Sequence, residues 1–150
     1  MAIDNRALLL RGPSGVGKSD LGLRLIDAGA RLIADDQSEL RREGHSIYVR
    51  APATIAGLIE VRGLGIIRLD PLQDVPLALI ADLVPAEGLE RLPERRTEAI
   101  LGISVPVIEV AAFQASTLAK LRLALRAVAE PARWFADDLP VPPRVRDQSK

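Results

Sequence analysis

Apolar and polar positions along the first third of the chain alternate between the periods of strands and of a helix. Residues 6–11 form a short apolar run that predicts a buried strand, and this run ends at a glycine-rich turn. Lys18 to Ala28 follows with the spacing of an amphipathic helix, and Gly29 stands where such a helix commonly ends. Residues 31–34 predict a second short strand that ends at two aspartates. The chain therefore begins with a predicted strand, helix and strand.

The rest of the chain continues this interleaving of strands and helices. Glu39 to Arg50 predicts a hairpin, and Gln114 to Ala129 predicts a helix whose leucines share one side. Four other segments predict strands, although the third is apolar enough for a buried helix as well: residues 58–61, 65–69, 76–84 and 105–111. This order indicates an α/β protein, with α+β as the alternative, built on a central sheet.

The composition changes after Pro131, where proline and charged residues become frequent. We expect residues 1–130 to form one domain and residues 131–150 to form a proline-rich C-terminal arm. Trp134 and Phe135 are predicted to attach the start of this arm to the domain, or to contact another copy of the chain. Beyond them the arm is expected to fray.

Charge and composition exclude several classes of function. The 150 residues contain 20 Lys and Arg against 20 Asp and Glu, so no global positive field attracts nucleic acid or an anionic membrane. The absence of cysteine excludes disulfides and thiolate metal sites. No apolar run is long enough to cross a bilayer, and the N-terminus lacks the pattern of a secretory signal. We therefore expect a cytoplasmic protein that binds neither nucleic acid nor membrane.

One motif fits a phosphate-binding loop without a mismatch. It has the form G-x-x-x-x-G-K-[ST] and consists of Gly12, Pro13, Ser14, Gly15, Val16, Gly17, Lys18 and Ser19. Its glycines permit a positive φ, so backbone N–H groups can point at phosphate oxygens beside the positive end of the following helix. Lys18 supplies a positive charge for the β and γ phosphates, and Ser19 supplies a hydroxyl for Mg²⁺. The alternative is a turn that caps the helix and binds nothing.

Two adjacent carboxylates follow the predicted second strand. If that strand lies beside the first, Asp35 and Asp36 reach the edge of the sheet next to the phosphates. One of them would then hold Mg²⁺, and the other would accept a proton from an incoming hydroxyl. The alternative is an ordinary pair of turn or helix-capping aspartates, because Asp is common at strand ends.

Three blocks of the sequence resemble one known family. GPSGVGKSDLGLRLIDAGARLIADDQ resembles the nucleotide site of HPr kinase/phosphorylase, and IEVRGLGII at residues 59–67 resembles the signature of that family. VIEVAA at residues 107–112 is a weaker match. The resemblance covers about residues 3–128, and the length of the chain fits the short form of the family.

The resemblance implies a fold, a reaction and a site. Members of this family have a P-loop kinase domain similar to phosphoenolpyruvate carboxykinase, with a central mixed sheet and flanking helices, and their long forms are hexamers. They use ATP or pyrophosphate to phosphorylate a serine of HPr, the phosphocarrier protein of the sugar phosphotransferase system, and they remove that phosphate by phosphorolysis. Carried over residue by residue, the nucleotide lies on residues 12–19 and Asp36 is the catalytic base beside Lys18. The Mg²⁺ positions fall on Ser19, Asp35 and Glu60.

The sequence departs from this family in three places. The chain begins after the position of the family's upstream histidine, and residues 68–76 replace a loop usually rich in Gly and Phe. Residues 100–104 replace a P-G-R-N-like element and contain no arginine, so Arg95 or Arg96 would have to substitute. These departures leave open the balance between kinase and phosphorolysis. Without the resemblance, Glu60 fits an exposed, salt-bridged strand equally well.

Two other functions stay open on the sequence alone. A small-molecule P-loop kinase needs an arginine-rich lid, which Arg91, Arg95 and Arg96 would supply. A nucleotide-dependent sensor or scaffold would bind ATP without transferring phosphate. The missing family arginine favours the sensor, whereas the retained carboxylates argue against it. The single histidine, His45, is predicted to be exposed at the tip of the hairpin rather than catalytic.

Overall fold

A computed structural model describes residues 1–136, so residues 137–150 of the predicted C-terminal arm lie outside the described part of the chain. In that described part the strands are Ala2–Ile3 (β1), Arg6–Arg11 (β2), Glu39–Glu43 (β3), Ser46–Arg50 (β4), Leu58–Val61 (β5), Gly65–Arg68 (β6), Val75–Leu83 (β7), Arg96–Ile100 (β8) and Ile103–Val110 (β9). The helices are Lys18–Asp27 (α1), Thr117–Ala129 (α2) and Pro131–Trp134 (α3), with a short 3-10 turn at Ala86–Gly88.

Strand β7 is the centre of a seven-stranded mixed sheet. It pairs in parallel with β2 on one side and with β9 on the other, and its first residues pair antiparallel with β4. β3 extends β4 as a hairpin, while β1 and β8 pair antiparallel with β2 and β9. β5 and β6 form a separate two-stranded hairpin. The predicted central mixed sheet with flanking helices is confirmed.

Side chains along β7 alternate between two buried layers. Leu79 packs with the fully buried leucines of α1 and α2, which are Leu21, Leu25, Leu121 and Leu125. The opposite face of the sheet buries a second group: Ile47, Ile80, Val105 and Val107. Each fully buried aliphatic side chain contributes about 1.5–3 kcal/mol. The first layer fixes α1 on the sheet, so the turn between β2 and α1 lies at the carboxyl edge of the parallel strands.

The predicted strand at residues 31–34 is wrong. Arg31 makes one antiparallel bridge with Ala2, in which each backbone N–H donates to the other residue's carbonyl. The carbonyl of Leu32 then accepts the N–H of Leu72 at 2.8 Å, so the segment turns to a different partner after one residue. Ala2 of β1 pairs with Ala7 of β2 on one side and with Arg31 on the other, so β1 separates this segment from β2 and the expected pairing does not form. The two aspartates that follow therefore stand on an irregular segment.

The other predicted elements are confirmed with small shifts of their ends. The segment at residues 76–84 is a strand, and the buried-helix alternative for it is wrong, because its backbone bonds to β2 and β9 on both sides. The helix predicted from Gln114 begins at Thr117, whose buried hydroxyl donates to the carbonyl of Ala111. The short edge strands β1 and β8 carry no clear apolar run, and sequence patterning missed them.

The start of the C-terminal arm forms the short helix α3. The ring of Phe135 stacks on the guanidinium of Arg95, whose Cζ lies 4.5 Å from the ring centroid, whereas Trp134 is 40% exposed. The division of the chain at residue 130 stays a prediction, and the predicted fraying concerns residues outside the described part. Within residues 1–136, no helix combines the length and apolar character that a membrane crossing requires.

Candidate phosphate-binding site

The glycine-rich loop joins β2 directly to α1, as the motif predicts. Gly15 and Gly17 have φ values of 82° and 103°, in the left-handed region that favours glycine. The N–H of Leu21 donates to the carbonyl of Gly17 at 2.9 Å, so the helix begins within the loop itself. No side chain among residues 1–136 caps this helix end, which leaves its first backbone N–H groups available to an anion.

Gly17 is also required by close packing. A Cβ atom at this position would lie 2.7 Å from the Cζ of Phe113 and 2.9 Å from the Cβ of Ala112. Both neighbours follow the last residue of β9, so the loop is pressed against the end of a strand more than ninety positions away in the sequence. The second glycine of the motif therefore serves both the backbone conformation and the contact with the sheet.

The last two residues of the loop motif and the two aspartates line one cavity of about 320 Å³. Lys18 and Ser19 contribute from the first turn of α1, and Asp35 and Asp36 contribute from the irregular segment. Arg11, the last residue of β2, lines the same cavity. Asp35 is half-buried, while Asp36 is exposed to solvent. The structure thus brings the predicted phosphate loop and the predicted carboxylates together, although not through the strand pairing that the sequence suggested.

Glu60 lies close to these carboxylates through its backbone. Its N–H donates to Oδ2 of Asp35 at 3.0 Å, which fixes one oxygen of that carboxylate. The residue is exposed, and the residues that line the cavity do not include it. Among residues 1–136, no three acidic or histidine side chains converge as a ready-made metal cage. The structure places Glu60 next to Asp35 but does not direct its carboxylate to the cavity.

A single glutamine holds the irregular segment in place. Nε2 of Gln73 donates to the carbonyl of Ile33 at 2.8 Å, and its Oε1 accepts the N–H of Ala51 at 2.7 Å. The side chain thereby ties the residues before Asp35 to the end of β4. Sequence analysis placed Gln73 only in a variable loop, and no local pattern signals this role.

The donor set fits a magnesium ion that also binds phosphate. Mg²⁺ prefers oxygen ligands, keeps several waters, and is commonly held by one or two carboxylates together with substrate phosphates. Ser19 and Asp35 supply a hydroxyl and a carboxylate to the same cavity, which Lys18 also lines. A site of this kind needs no complete protein cage.

An ion-pair cluster that sequence analysis did not single out borders the cavity. Arg11 contacts Asp82 at 2.7 Å and Glu98 at 2.6 Å, and Arg96 contacts Asp82 at 3.3 Å and Glu109 at 3.8 Å. Hydrogen bonds to Glu98 and Asp82 raise the pKa of Arg11 above its ordinary value. The same bond from Arg11 lowers the pKa of Glu98. A signal for this cluster is present in the sequence, because the three central strands each carry a charged residue at their last or next-to-last position: Arg11, Asp82 and Glu109.

The remaining singled-out residues lie outside the cavity. His45 is exposed in the turn of the β3–β4 hairpin, as predicted. Arg96 belongs to the ion-pair cluster, and Arg95 stacks on Phe135. The substitution of either arginine for the missing family arginine stays a prediction.

Comparison with known proteins agrees with this geometry. The family described as "HPr Serine kinase C-terminal domain" matches residues 1–131, which is most of the chain. The chain belongs to this family. The HPr kinase C-terminal domain is therefore the context in which the phosphate loop and the carboxylates of this chain are to be interpreted.

Individual relatives of this HPr kinase domain support the same assignment. The HPr kinase/phosphorylase of Leptothrix cholodnii is 39% identical over 134 residues, which cover 81% of this chain and 41% of the relative. That of Burkholderia cenocepacia is 36% identical over 125 residues, which cover 76% of this chain and 39% of the relative. The chain thus spans about 40% of the length of these curated relatives.

A solved structure reproduces the fold. The Hpr(Ser) kinase/phosphatase of Coxiella burnetii superposes with a TM-score of 0.71 at 27% identity, covering 89% of this chain and 93% of that chain. The mixed sheet with its helices is therefore the architecture of the HPr kinase domain.

Proposed function

We propose that this chain is the catalytic part of an ATP-dependent protein-serine kinase that acts on HPr, the phosphocarrier protein of the sugar phosphotransferase system. One observation carries the proposal, namely that Lys18 and Ser19 line the same cavity as Asp35 and Asp36. A phosphate loop facing a carboxylate pair has the components of phosphoryl transfer, which needs alignment, charge neutralisation and a positioned base. The names of the relatives supply HPr as the substrate.

Asp36 is the catalytic base in this proposal. Its carboxylate is exposed at the mouth of the cavity, where the hydroxyl of a protein serine has access to it. Asp36 accepts the hydroxyl proton as the serine oxygen bonds to the γ-phosphorus and the bond to the β-phosphate oxygen breaks. Lys18 neutralises charge on the β and γ phosphates, and the backbone of residues 12–19 holds the phosphates in place.

Magnesium is proposed at the oxygens that Ser19 and Asp35 supply to the cavity, with Glu60 as the third position that the family implies. When bound there, the cation supplies neutralisation of phosphate charge. Asp35 is oriented for this by the N–H of Glu60, which leaves its other carboxylate oxygen available. Ser19 stands in the first turn of α1, one residue after Lys18.

The reverse reaction uses the same groups. In phosphorolysis an oxygen of inorganic phosphate bonds to the phosphorus of phosphoserine, and the bond to the serine oxygen breaks to give pyrophosphate. Protonated Asp36 returns its proton to the leaving serine oxygen, so the proton balance is the exact reverse of the kinase direction. This activity is tested with HPr that carries a labelled phosphate on its serine. Labelled pyrophosphate should be released when unlabelled inorganic phosphate is added.

The test of the kinase is transfer of label from γ-labelled ATP with Mg²⁺ to HPr from the same organism. We expect labelled serine with the wild-type chain and a loss of about 10²–10⁴-fold in Asp36→Asn, which removes the base. Lys18→Ala is expected to lose about 10²–10³-fold, because it removes a charge from the transition state.

Two exposed residues provide matched controls for these variants. Lys120→Ala removes a lysine on α2, and Asp27→Asn removes a carboxylate at the far end of α1, and both are expected to retain transfer. Binding of Mg-ATP without labelling of folded HPr would contradict the kinase and support a nucleotide-dependent sensor. Label on a small molecule instead of HPr would support a small-molecule kinase.

Assembly, location and fold kinship follow from the family resemblance. We propose a homo-oligomer, a hexamer as in the long forms, in the cytoplasm, with a fold similar to phosphoenolpyruvate carboxykinase. Light scattering coupled to size-exclusion chromatography tests the assembly directly, since a monomer at micromolar concentration would contradict it.

A further inference from the structure

Arg11 is held by two carboxylates at once. Its Nε and Nη2 donate to the two oxygens of Asp82 at 2.7 and 3.1 Å, and its Nη1 and Nη2 donate to the two oxygens of Glu98 at 2.6 and 3.0 Å. Paired hydrogen bonds of this kind are the strongest form of arginine–carboxylate contact. Arg11 therefore directs nearly all of its donors at acidic groups of β7 and β8, and not at the cavity that it borders.

The two carboxylates lie beside the phosphate loop. Arg11 directly precedes Gly12, the first residue of the loop, and Asp82 directly precedes Leu83. A Cβ atom on Gly12 would lie 3.3 Å from the Cβ of Leu83, so the loop begins in contact with the end of β7. Arg11 itself lines the cavity together with Lys18 and Ser19. Any charge left on Asp82 would thus act close to a bound polyphosphate.

The cluster has little spare positive charge. Two arginines, Arg11 and Arg96, face three carboxylates, which are Asp82, Glu98 and Glu109. Arg96 contacts Asp82 at 3.3 Å and reaches Glu109 only at 3.8 Å, whereas Glu98 is hydrogen-bonded by Arg11 alone among residues 1–136. Loss of Arg11 would leave one arginine against three carboxylates.

We propose that Arg11 is a positioning residue of the nucleotide site, which neutralises Asp82 and Glu98 and so prevents two carboxylates from repelling the phosphates of a bound nucleotide. The proposal rests on the nucleotide binding proposed above. It also assigns a reason for an arginine that directly follows the four apolar residues of β2. By occupying both oxygens of Asp82, Arg11 leaves Asp35 as the carboxylate available to Mg²⁺.

Simple electrostatics sets the size of the effect. ATP carries several negative charges. A carboxylate that has no paired arginine repels them appreciably when it lies within about one Debye length, which is about 8 Å at physiological salt. We expect Arg11→Gln to weaken Mg-ATP binding about tenfold or more at low salt. Because salt screens this repulsion, the ratio of variant to wild-type dissociation constants should approach one as salt rises.

Calorimetric titration with Mg-ATP tests the proposal on four versions of the full chain. These are the wild type, Arg11→Gln, Arg11→Lys, and the triple variant Arg11→Gln/Asp82→Asn/Glu98→Gln. The triple variant removes the repelling charges together with Arg11, and we expect it to bind within about threefold of the wild type. Arg11→Lys keeps the charge but loses the paired hydrogen bonds, and we expect most of the affinity to remain.

The outcomes separate screening from a purely structural role. If Arg11 only holds the strands together through its paired hydrogen bonds, Arg11→Lys and the triple variant should both lose affinity for Mg-ATP. That loss would not depend on salt. That pattern, or equal binding by Arg11→Gln and the wild type, would overturn the proposal. A wild-type chain that binds no Mg-ATP would instead contradict the proposed nucleotide site itself. If Arg11→Gln does not fold, the lysine and triple variants still decide the question.

Discussion

The two sides of the cavity are built in different ways. The phosphate loop is one continuous stretch of residues between β2 and α1, and its shape follows from positive φ values at Gly15 and Gly17. The side that carries Asp35 and Asp36 has no ladder of its own. Its position depends on two hydrogen bonds from distant residues. The backbone N–H of Glu60 donates to Asp35, and the side chain of Gln73 donates to the carbonyl of Ile33, forty positions earlier in the sequence.

This difference separates local from non-local determination of a site. A conformation encoded by neighbouring glycines is expressed wherever the flanking strand and helix form. A segment held by distant side chains takes its position only after the rest of the chain has folded. Substitutions in the loop should therefore abolish nucleotide binding, whereas substitutions around the carboxylates should reduce transfer or raise the Mg²⁺ requirement and leave nucleotide binding at the loop intact.

Gly17→Ala is expected to have the largest effect. The new Cβ would meet Phe113 and Ala112 at distances below 3 Å, at a backbone φ of 103° that alanine disfavours. Strain of this kind costs about 1–3 kcal/mol, and the loop must shift to relieve it. We expect nucleotide binding to fall below detection in calorimetry, with a lower midpoint of thermal unfolding.

Gly44→Ala is the matched control for Gly17. Gly44 also has a positive φ, 59°, but a Cβ at this position would meet no atom within 4 Å. It lies in the β3–β4 turn, away from the cavity, so the variant should lose some stability and keep nucleotide binding. Equal binding by Gly17→Ala and the wild type would show that the loop tolerates displacement and would break the contrast between the two sides.

Asp35→Asn should show an intermediate effect. The amide keeps an oxygen that can accept the N–H of Glu60, so the segment should hold its position while the charge that faces Mg²⁺ is lost. We expect the Mg²⁺ concentration for half-maximal transfer to rise about 10–100-fold, the size of effect that is common when a residue of a metal site is substituted. Titration of activity with Mg²⁺ at saturating ATP measures it.

Glu60→Gln provides the comparison for that titration. Its carboxylate is exposed and is not among the groups that line the cavity, so we expect a smaller rise in the Mg²⁺ requirement than for Asp35→Asn. A larger rise for Glu60→Gln would show that its side chain turns to the cation when substrate binds. The family-implied role of Glu60 would then outweigh the position that its carboxylate has here.

Sequence predicted the locally encoded features and missed those set by distant contacts. The phosphate loop, α1, the β3–β4 hairpin and the strands β5 and β6 follow from glycines and periodicity that lie within a few residues of one another. The strand expected at residues 31–34 fails because its apolar run is buried by packing and not by pairing, and periodicity does not distinguish the two. The position of Asp35 and Asp36 beside the loop was expected from a strand pairing that does not form and from the family resemblance, while their support by Gln73 has no local signature.

Gln73→Ala should lower both stability and transfer. It leaves the carbonyl of Ile33 and the N–H of the buried Ala51 without their partner, which costs about 1–3 kcal/mol for each group that stays unsatisfied. The irregular segment would lose its tie to β4, so we expect the rate of transfer to fall while Mg-ATP binding at the loop is largely kept. Chemical denaturation and single-turnover labelling measure the two effects separately.

Gln73→Glu is the more discriminating variant of this pair. A carboxylate still accepts the N–H of Ala51 but cannot donate to the carbonyls of Ile33 and Leu72, so the tie to Ala51 is kept and the bond toward the aspartates is lost. We expect a smaller loss of stability than in Gln73→Ala with a similar loss of transfer. If Gln73→Glu transfers phosphate like the wild type, the position of Asp36 does not depend on this glutamine.

The smallest predicted effect tests whether the loop side is as local as it looks. Glu98 is 87 positions from Arg11, and their hydrogen bond lowers the pKa of the glutamate below its ordinary 4.5. Between the lowered pKa of the folded chain and the ordinary pKa of the unfolded chain, Glu98 is protonated in the unfolded chain and charged in the folded one. The pair therefore contributes stability above about pH 4.5, and this contribution is lost as the pH falls through the lower folded-state pKa.

The free energy of unfolding of the wild type should fall more steeply between about pH 5 and pH 3 than that of Glu98→Gln, measured by urea unfolding at each pH. The exposure of Glu98 keeps the difference small. Parallel slopes would mean that the distant carboxylate adds nothing measurable to the stability of the end of β2, where the loop begins.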